Sequence, residues 1–255
     1  MPIALVTGGT AGIGAAFARA LAARGYDLVL VARTASRLEE FGAELRSDGR
    51  QVELIVADLG VRADVDRVAA RLADTTHPID LLVNNAGYGM KSRLGNPDLV
   101  EADDALDVMV RAPLVLSAAV VPGMRERGRG AIVNVASVAG YLSMGLYSSI
   151  KAWLRVYSES LSNELHGTGV TVTALMPGWV HTEFHDRASI RKSSIPSWLW
   201  LNADALVASC LRDVERGKPV STPSVRYRFL SWLLRHLPRA TVRWVSRKLS
   251  SSRHE

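Results

Sequence analysis

Tyr147 and Lys151, in the run Y-S-S-I-K, have the types and spacing for proton chemistry. Four residues along a helix bring two side chains onto one face, one turn apart. An ammonium held there favours the ionised phenol and draws its acidity constant below the ordinary tyrosine value. A phenol tuned in this way can exchange a proton with an alcohol near neutral pH. Far upstream, Thr7 to Gly14 reads T-G-G-T-A-G-I-G, with Gly8, Gly12 and Gly14 spaced G-x-x-x-G-x-G directly after an apolar run. Glycine permits a tight turn and lets the backbone approach a pyrophosphate, whose charge a helix N-terminus favours. Taken alone, such a turn is equally a structural cap, and its spacing differs from G-x-G-x-x-G. A third motif, Asn84-Asn85-Ala86-Gly87, combines small residues that admit a ligand with amides that can tie strand ends together.

These motifs need a scaffold, and the chain alternates in the manner of a parallel sheet covered by helices. Strands are predicted at Ile3–Thr7, Tyr26–Ala32, Val52–Ala57, Ile79–Asn84, Ala131–Ala136, Val170–Met176 and Pro219–Thr222. Helices are predicted near Gly12–Arg24, Ala35–Ser47, Ala63–Ala73, Tyr147–His166 and Leu201–Arg216. One long helix is expected over Ala102–Arg127, bent or ended by Pro113 or Pro122. The fold class is therefore α/β: a doubly wound parallel sheet of about seven strands with helices on both faces. Residues 1–225 form one domain, with a substrate lid at about 183–200, and residues 226–255 form a basic amphipathic extension. Each chemical motif falls at a strand's carboxyl end or the next helix start, where such sheets bind ligands.

In this order, T-G-x-x-x-G-I-G, N-N-A-G and Y-x-x-x-K strongly resemble the short-chain dehydrogenase/reductase family. The resemblance covers residues 3 to about 222, including the turn Pro177-Gly178-Trp179-Val180-His181-Thr182. It implies a Rossmann-type sheet, a fused substrate pocket, and hydride transfer between NAD(P) and a carbonyl or alcohol carbon. By position it makes Tyr147 the general acid/base. Lys151 then tunes Tyr147 and binds the nicotinamide ribose, and Ser137 hydrogen-bonds the substrate oxygen. The implied cofactor contacts are Gly8, Thr10, Ala11, Gly12, Ile13 and Gly14 in the first turn, and Asp58 and Leu59 beside the adenine. Asn85, Ala86, Gly87, Tyr147, Lys151, Pro177, Gly178, Val180 and Thr182 complete the set.

Two departures stand out. The family usually separates the serine and tyrosine by about thirteen positions, whereas Ser137 and Tyr147 are ten apart, so the connection Tyr141–Leu146 should reshape one pocket wall. The family also carries an asparagine on the long helix that holds a water near the active-site lysine. Counting back from Pro122-Gly123-Met124 puts Met109 at that position. A thioether is at best a weak acceptor and cannot organise a water as an amide does.

Cofactor choice is read after the second strand, where NAD-preferring enzymes place a carboxylate on the ribose hydroxyls. Here the run is Val31-Ala32-Arg33-Thr34, with no acid until Glu39. Arg33 can grip a 2′-phosphate with a charge-assisted pair, helped by Arg37 or Thr34. NADP(H) is therefore expected in preference to NAD(H), although a surface arginine after a strand is also common. The lid contains His185, Ile190, Ile195, Pro196, Trp198, Leu199 and Trp200. They suit a hydrophobic ligand wall, or packing on the body or a neighbouring subunit. No His/Cys/Asp cluster has ligand spacing, and no catalytic metal is expected.

The net charge of +6 is uneven. From Arg216 onward there are ten Lys or Arg and one acid, Glu255, which leaves the first 215 residues at −3. A nucleic-acid role for the domain is therefore not expected. The tail repeats Tyr227, Leu230, Leu233, Leu234 and Leu237 at helical spacing, then Val242, Val245 and Leu249 after Pro238, among arginines and with Trp232 and Trp244. Such a segment can lie on an anionic membrane. The preferred arrangement packs its apolar face on the domain beside the lid. The apolar start at Ile3 leaves no room for a signal segment, and the single Cys210, expected to be a packed side chain, fits a reducing compartment; a cytoplasmic location is expected.

The leading functional reading is an NADP(H)-dependent oxidoreductase acting on a hydrophobic ketone or secondary alcohol. The alternative is a catalytically weak nucleotide-binding regulatory or scaffold protein of the same fold, motivated by Met109. Homodimers or tetramers are implied by the family, pairing the two long helices through positions such as Leu154 and Leu161.

Overall fold

The computed structural model describes residues 1–90, 94–182 and 196–251. Seven parallel strands form one sheet: β1 Ile3–Thr7, β2 Asp27–Ala32, β3 Val52–Val56, β4 Leu81–Asn84, β5 Gly130–Val135, β6 Val170–Leu175 and β7 Val220–Ser221. Their order is β3-β2-β1-β4-β5-β6-β7, so the winding reverses between β1 and β4. Leu5 pairs with Val29 on one side and Leu82 on the other. The central strands are near-continuous apolar runs because both faces are covered.

One face carries α1 (Gly12–Ala23), α2 (Ala35–Ser47) and α7 (Ala203–Glu215). Phe17, Leu21, Leu38, Phe41 and Val207 pack there on Ala4 and Val6 of β1. The other face carries α3 (Arg62–Ala73), α5 (Ala112–Glu126) and α6 (Gly145–Glu164). Val65, Leu72, Leu116 and Ile150 meet Leu5 on that side. The alternation of Leu5 against Ala4 and Val6 is the two-residue period of a strand feeding two cores. Two further helices, α8 (Val225–His236) and α9 (Arg239–Ser251), follow the sheet. A third cluster joins Leu234 of α8 to Ala136, Tyr141, Leu154 and Met176 near the carboxyl ends of β5 and β6.

Three expectations need correction. The long helix runs Val100–Glu126 as expected but is not α-helical throughout: α4 (Val100–Leu106) passes through a π-helical turn, Asp107–Arg111, into α5. Pro113 stands in the first turn of α5, where its missing N–H costs nothing, and Pro122 lies within the helix. The run 100–126 is long and apolar enough to cross a membrane, but Met109, Ala112, Leu116, Val120 and Met124 face the core. Leu201 does not begin a helix; it bridges Val180, and the helix starts at Ala203. Finally, Leu154 is buried within one chain and Leu161 packs against its core, so neither requires a partner subunit.

Candidate active site

The turn after β1 sits at the reversal point of the sheet. Gly8 and Gly12 have φ of +63° and +54°, the left-handed region that glycine enters freely. A Cβ on Gly14 would lie 2.2 Å from the Gly8 carbonyl oxygen, so only glycine lets α1 start this close to the turn. Ala11 caps α1 without a side-chain hydrogen bond, and the first helical turn holds no acid. Its amide donors are thus left for an anion, as a pyrophosphate cradle requires. Thr10 and Ile13 lie in the same turn, partly buried. Thr182 stands opposite, its side chain 3.1 Å from where a Gly12 Cβ would be.

β4 is bound to this turn by hydrogen bonds that the spacing of N-N-A-G foreshadows. Asn85 Nδ2 donates to the carbonyls of Thr7 and Gly8, at 2.9 and 3.2 Å. In return, Thr7 Oγ1 accepts from the amides of Asn85 and Ala86, at 3.0 and 3.1 Å. Thr7 opens the motif T-G-x-x-x-G-I-G but had no role of its own in the sequence reading. Beyond β2, Arg33 Nη1 lies 3.8 Å from Asp58 Oδ2, while Asp58 Oδ1 accepts from the Gly60 amide at 3.0 Å. Leu59 is buried beside them.

At the end of β5, Ser137 is nearly buried and caps the short 3-10 turn Val138–Tyr141; its Oγ accepts from the Ala139 amide at 3.1 Å. Tyr147 falls in the first turn of α6, which begins two residues earlier than expected, at Gly145. One turn on, Lys151 is fully buried. Its Nζ donates to the Val135 carbonyl at 2.8 Å and lies 5.6 Å from the centre of the Tyr147 ring. Desolvation brings the Lys151 ammonium down to about 8. The ammonium therefore meets the end of β5 and the Tyr147 ring, with the lysine aimed by a backbone carbonyl two residues before Ser137. Gly87, closing N-N-A-G, reaches the same place: a Cβ there would lie 3.0 Å from Met109 Sδ and 3.7 Å from Lys151 Nζ.

Residues 2–192 match the family model described as short chain dehydrogenase. The chain belongs to the short-chain dehydrogenase/reductase family. It superposes on a short-chain dehydrogenase from Sphingobium yanoikuyae, solved in complex with NADPH, with a TM-score of 0.83 and 34% identity, over 94% of this chain and 98% of that one. Its sequence is 32% identical over 248 residues to a very-long-chain 3-oxoacyl-CoA reductase of Anas platyrhynchos, covering 94% of this chain and 77% of the relative. It is also 37% identical over 187 residues to the NADP-dependent 3-hydroxy acid dehydrogenase YdfG of Salmonella typhi, covering 71% and 74%.

Met109, assigned by counting to the family's asparagine position, lies near Lys151 across Gly87. Met109 is buried in the π-helical turn and meets Gly87 beside Lys151. The residue that sequence reading placed only among the tail's apolar positions, with no part in the site, is Tyr227 of α8. A Cβ on Gly178 would lie 1.9 Å from Tyr227 Cζ, so the tyrosine ring occupies the space that any side chain at 178 needs. Tyr227 Oη accepts from the Trp179 amide at 3.0 Å and donates to the Leu199 carbonyl at 2.8 Å. The Pro177 carbonyl accepts from the Val138 amide at 3.0 Å, linking this turn to the Ser137 segment. Pro177–Thr182 is thus held between β5 and a helix that begins 40-odd residues later.

The predicted lid is described only from Pro196, where Ser197–Leu199 makes a 3-10 turn; His185, Ile190 and Ile195 lie outside the described residues. Trp200 stacks on His181 at 4.6 Å. The Tyr141–Leu146 connection is met by α9, where the Ser143 amide donates to Ser246 Oγ at 3.0 Å. Tyr227, Leu234 and Val242 are buried, so the tail packs on the domain as preferred. Cys210 is a packed side chain too, its thiol pushed up to about 12 by burial. One hollow of about 900 Å³ lies at the amino ends of the strands, lined by Pro2, Tyr26, Asp80 and Gly130. No motif residue touches it, and strand carboxyl ends, not amino ends, bind ligands in this architecture. Among the described residues no His/Cys/Asp/Glu cluster suits a metal.

Proposed function

We propose that this short-chain dehydrogenase/reductase is an NADP(H)-dependent enzyme acting on a hydrophobic ketone or secondary alcohol. The observation that carries the reading is Lys151: buried, directed by the Val135 carbonyl, and one turn from Tyr147 at the strand end that holds Ser137. The nicotinamide, when bound, supplies or accepts the hydride. Tyr147 gives its proton to the substrate oxygen in reduction and takes it back in oxidation. Ser137 donates a hydrogen bond to that oxygen as charge develops there, and Lys151 offsets the phenolate left behind. The turn residues Gly8–Gly14, with Asn85, Ala86, Gly87, Val180 and Thr182, fit a dinucleotide through small side chains and uncapped amides.

Arg33 supports the preference for NADP(H): it follows β2, whose end carries no acid of its own, and can exchange its pair with Asp58, at 3.8 Å, for a 2′-phosphate. The likeness to a structure solved with NADPH agrees with this. A cytoplasmic homodimer or homotetramer completes the proposal, with exposed Leu106, Leu114 and Val156 on the long helices in place of Leu154. The alternative, a nucleotide-binding protein with little turnover, rests on Met109 beside Lys151. NADPH oxidation measured over a panel of ketones, aldehydes and quinones separates the two. Turnover of any of them supports the enzyme, and tight NADPH binding without turnover across the panel supports the alternative.

A further inference from the structure

Helix α8 buries one face and displays a second apolar face on its opposite side. Tyr227, Ser231 and Leu234 are buried, at i, i+4 and i+7. Val225, Phe229 and Trp232 repeat that spacing and are each more than half exposed. Phe229 stands two residues from both Tyr227 and Ser231, about 200° round the helix from each. In α9, Trp244 holds the same relation to Val242 and Ser246: the latter two are buried and the tryptophan is exposed. Phe229 and Trp232 stack at 6.2 Å, forming a continuous aromatic strip. Sequence periodicity singles out the Tyr227–Leu237 face, which is the one the domain covers. The outward strip is made of residues that this periodicity leaves over.

Charge decides what fits the strip. Arg226, Arg228 and Arg235 flank it on α8, and Arg243, Arg247 and Lys248 surround Trp244, with the Lys248 ammonium 5.5 Å from the tryptophan ring. No acid occurs between Arg216 and Lys248. Among the described residues, Arg228, Arg239, Arg243 and Arg247 have no carboxylate partner. On a twofold interface the same face meets itself, which would press these bases together with nothing to neutralise them. A sheet of anionic headgroups neutralises them all at once, while tryptophan and phenylalanine are the side chains that enter the headgroup–acyl boundary.

We propose that the outer face of α8 and α9 docks on an anionic lipid bilayer, with Phe229, Trp232 and Trp244 inserted and the arginines on the headgroups. The buried face stays on the domain throughout, so docking needs no unfolding. The strip adjoins the lid segment, since Arg226 donates to the Trp198 carbonyl and Trp198 is itself exposed.

Co-sedimentation of the full chain with vesicles containing about a third phosphatidylglycerol tests this, against pure phosphatidylcholine. Binding to the anionic vesicles is expected, at least about tenfold tighter than to neutral ones and weakening as salt is raised. Replacing Phe229, Trp232 and Trp244 together by Ser should lower partition at least about tenfold at unchanged melting temperature. Equal binding to neutral vesicles, or anionic binding that survives the triple substitution, overturns the proposal. So does absence of vesicle binding, whether or not light scattering shows a dimer that the triple substitution splits. If the triple variant melts early, quenching of the unaltered protein's tryptophan fluorescence by brominated phosphatidylglycerol decides: quenching supports insertion, and no quenching overturns it.

Discussion

The two sides of the proposed site are built by different means. On the cofactor side, the turns after β1 and β4 hold each other through Thr7 and Asn85, side chains inside the motifs themselves. On the side that leads into the lid, the turn after β6, which also carries Pro177, Gly178, Val180 and Thr182 of the proposed cofactor set, is held by Tyr227, from a helix that follows the last strand. A wall made from its own motif is readable from short spacings; a wall that borrows a side chain from far along the chain is not. Lys151 and Tyr147 stand where the two sides meet.

Removing the phenol should have the largest effect. Tyr147→Phe is expected to lower turnover by about 10²–10⁴-fold while NADPH binding, followed by fluorescence titration, is kept. Turnover near that of the wild type would place the proton donor elsewhere.

Lys151 sharpens the meeting point through pH. Its folded value of about 8 lies below the ordinary 10.5. Between the two, the unfolded chain keeps a proton that the folded chain has released, so stability rises with pH across that window. Below about 8 both states are protonated and the burial cost is constant. Lys151→Met, without cofactor, should therefore be the more stable protein below pH 8, by up to about 3 kcal/mol. That advantage should fade towards pH 10.5 in urea melts; a flat difference would mean the ammonium is not desolvated.

The cofactor side is probed alone by Arg33→Ala. NADPH affinity should fall by about tenfold to a hundredfold through loss of charge-assisted hydrogen bonds, with NADH nearly unchanged. Equal losses for both cofactors would remove the 2′-phosphate assignment. The substrate side is probed by Tyr227→Phe, which leaves the ring on Gly178 but removes two hydrogen bonds. A cost of about 1–2 kcal/mol is expected, or some 2–8 °C in melting temperature, with KM for a ketone raised more than NADPH affinity is weakened. Should cofactor affinity fall equally, the two sides are not separable.

Met109→Asn is expected to have the smallest effect, raising turnover by no more than about tenfold, most where reprotonation is slow. A fall in melting temperature with no rise in turnover would make Met109 a packing residue only.

What was legible in the sequence follows the same division. The strand alternation and the helix carrying Tyr147 and Lys151 were readable because each rests on periodicity within about twenty residues. The π-helical turn at Asp107–Arg111 was not, since such a turn keeps an apolar helical pattern while shifting its phase. Leu154 looked exposed because a helix wheel does not show that the third cluster, with Leu234 from α8, covers it. In the tail, one strong apolar periodicity hid a second and weaker one, and only burial tells which of them faces the domain.

The seat of Tyr227 on Gly178 also has a consequence in time. Chains fold from the N-terminus as they are synthesised. The turns after β1 and β4 leave the ribosome before Tyr227 does. The turn after β6 must wait for the helix that pins it. A chain cut short before α8 would lack the side chain that fixes this turn, so the order of synthesis would make completion of the chain a condition of the proposed turnover.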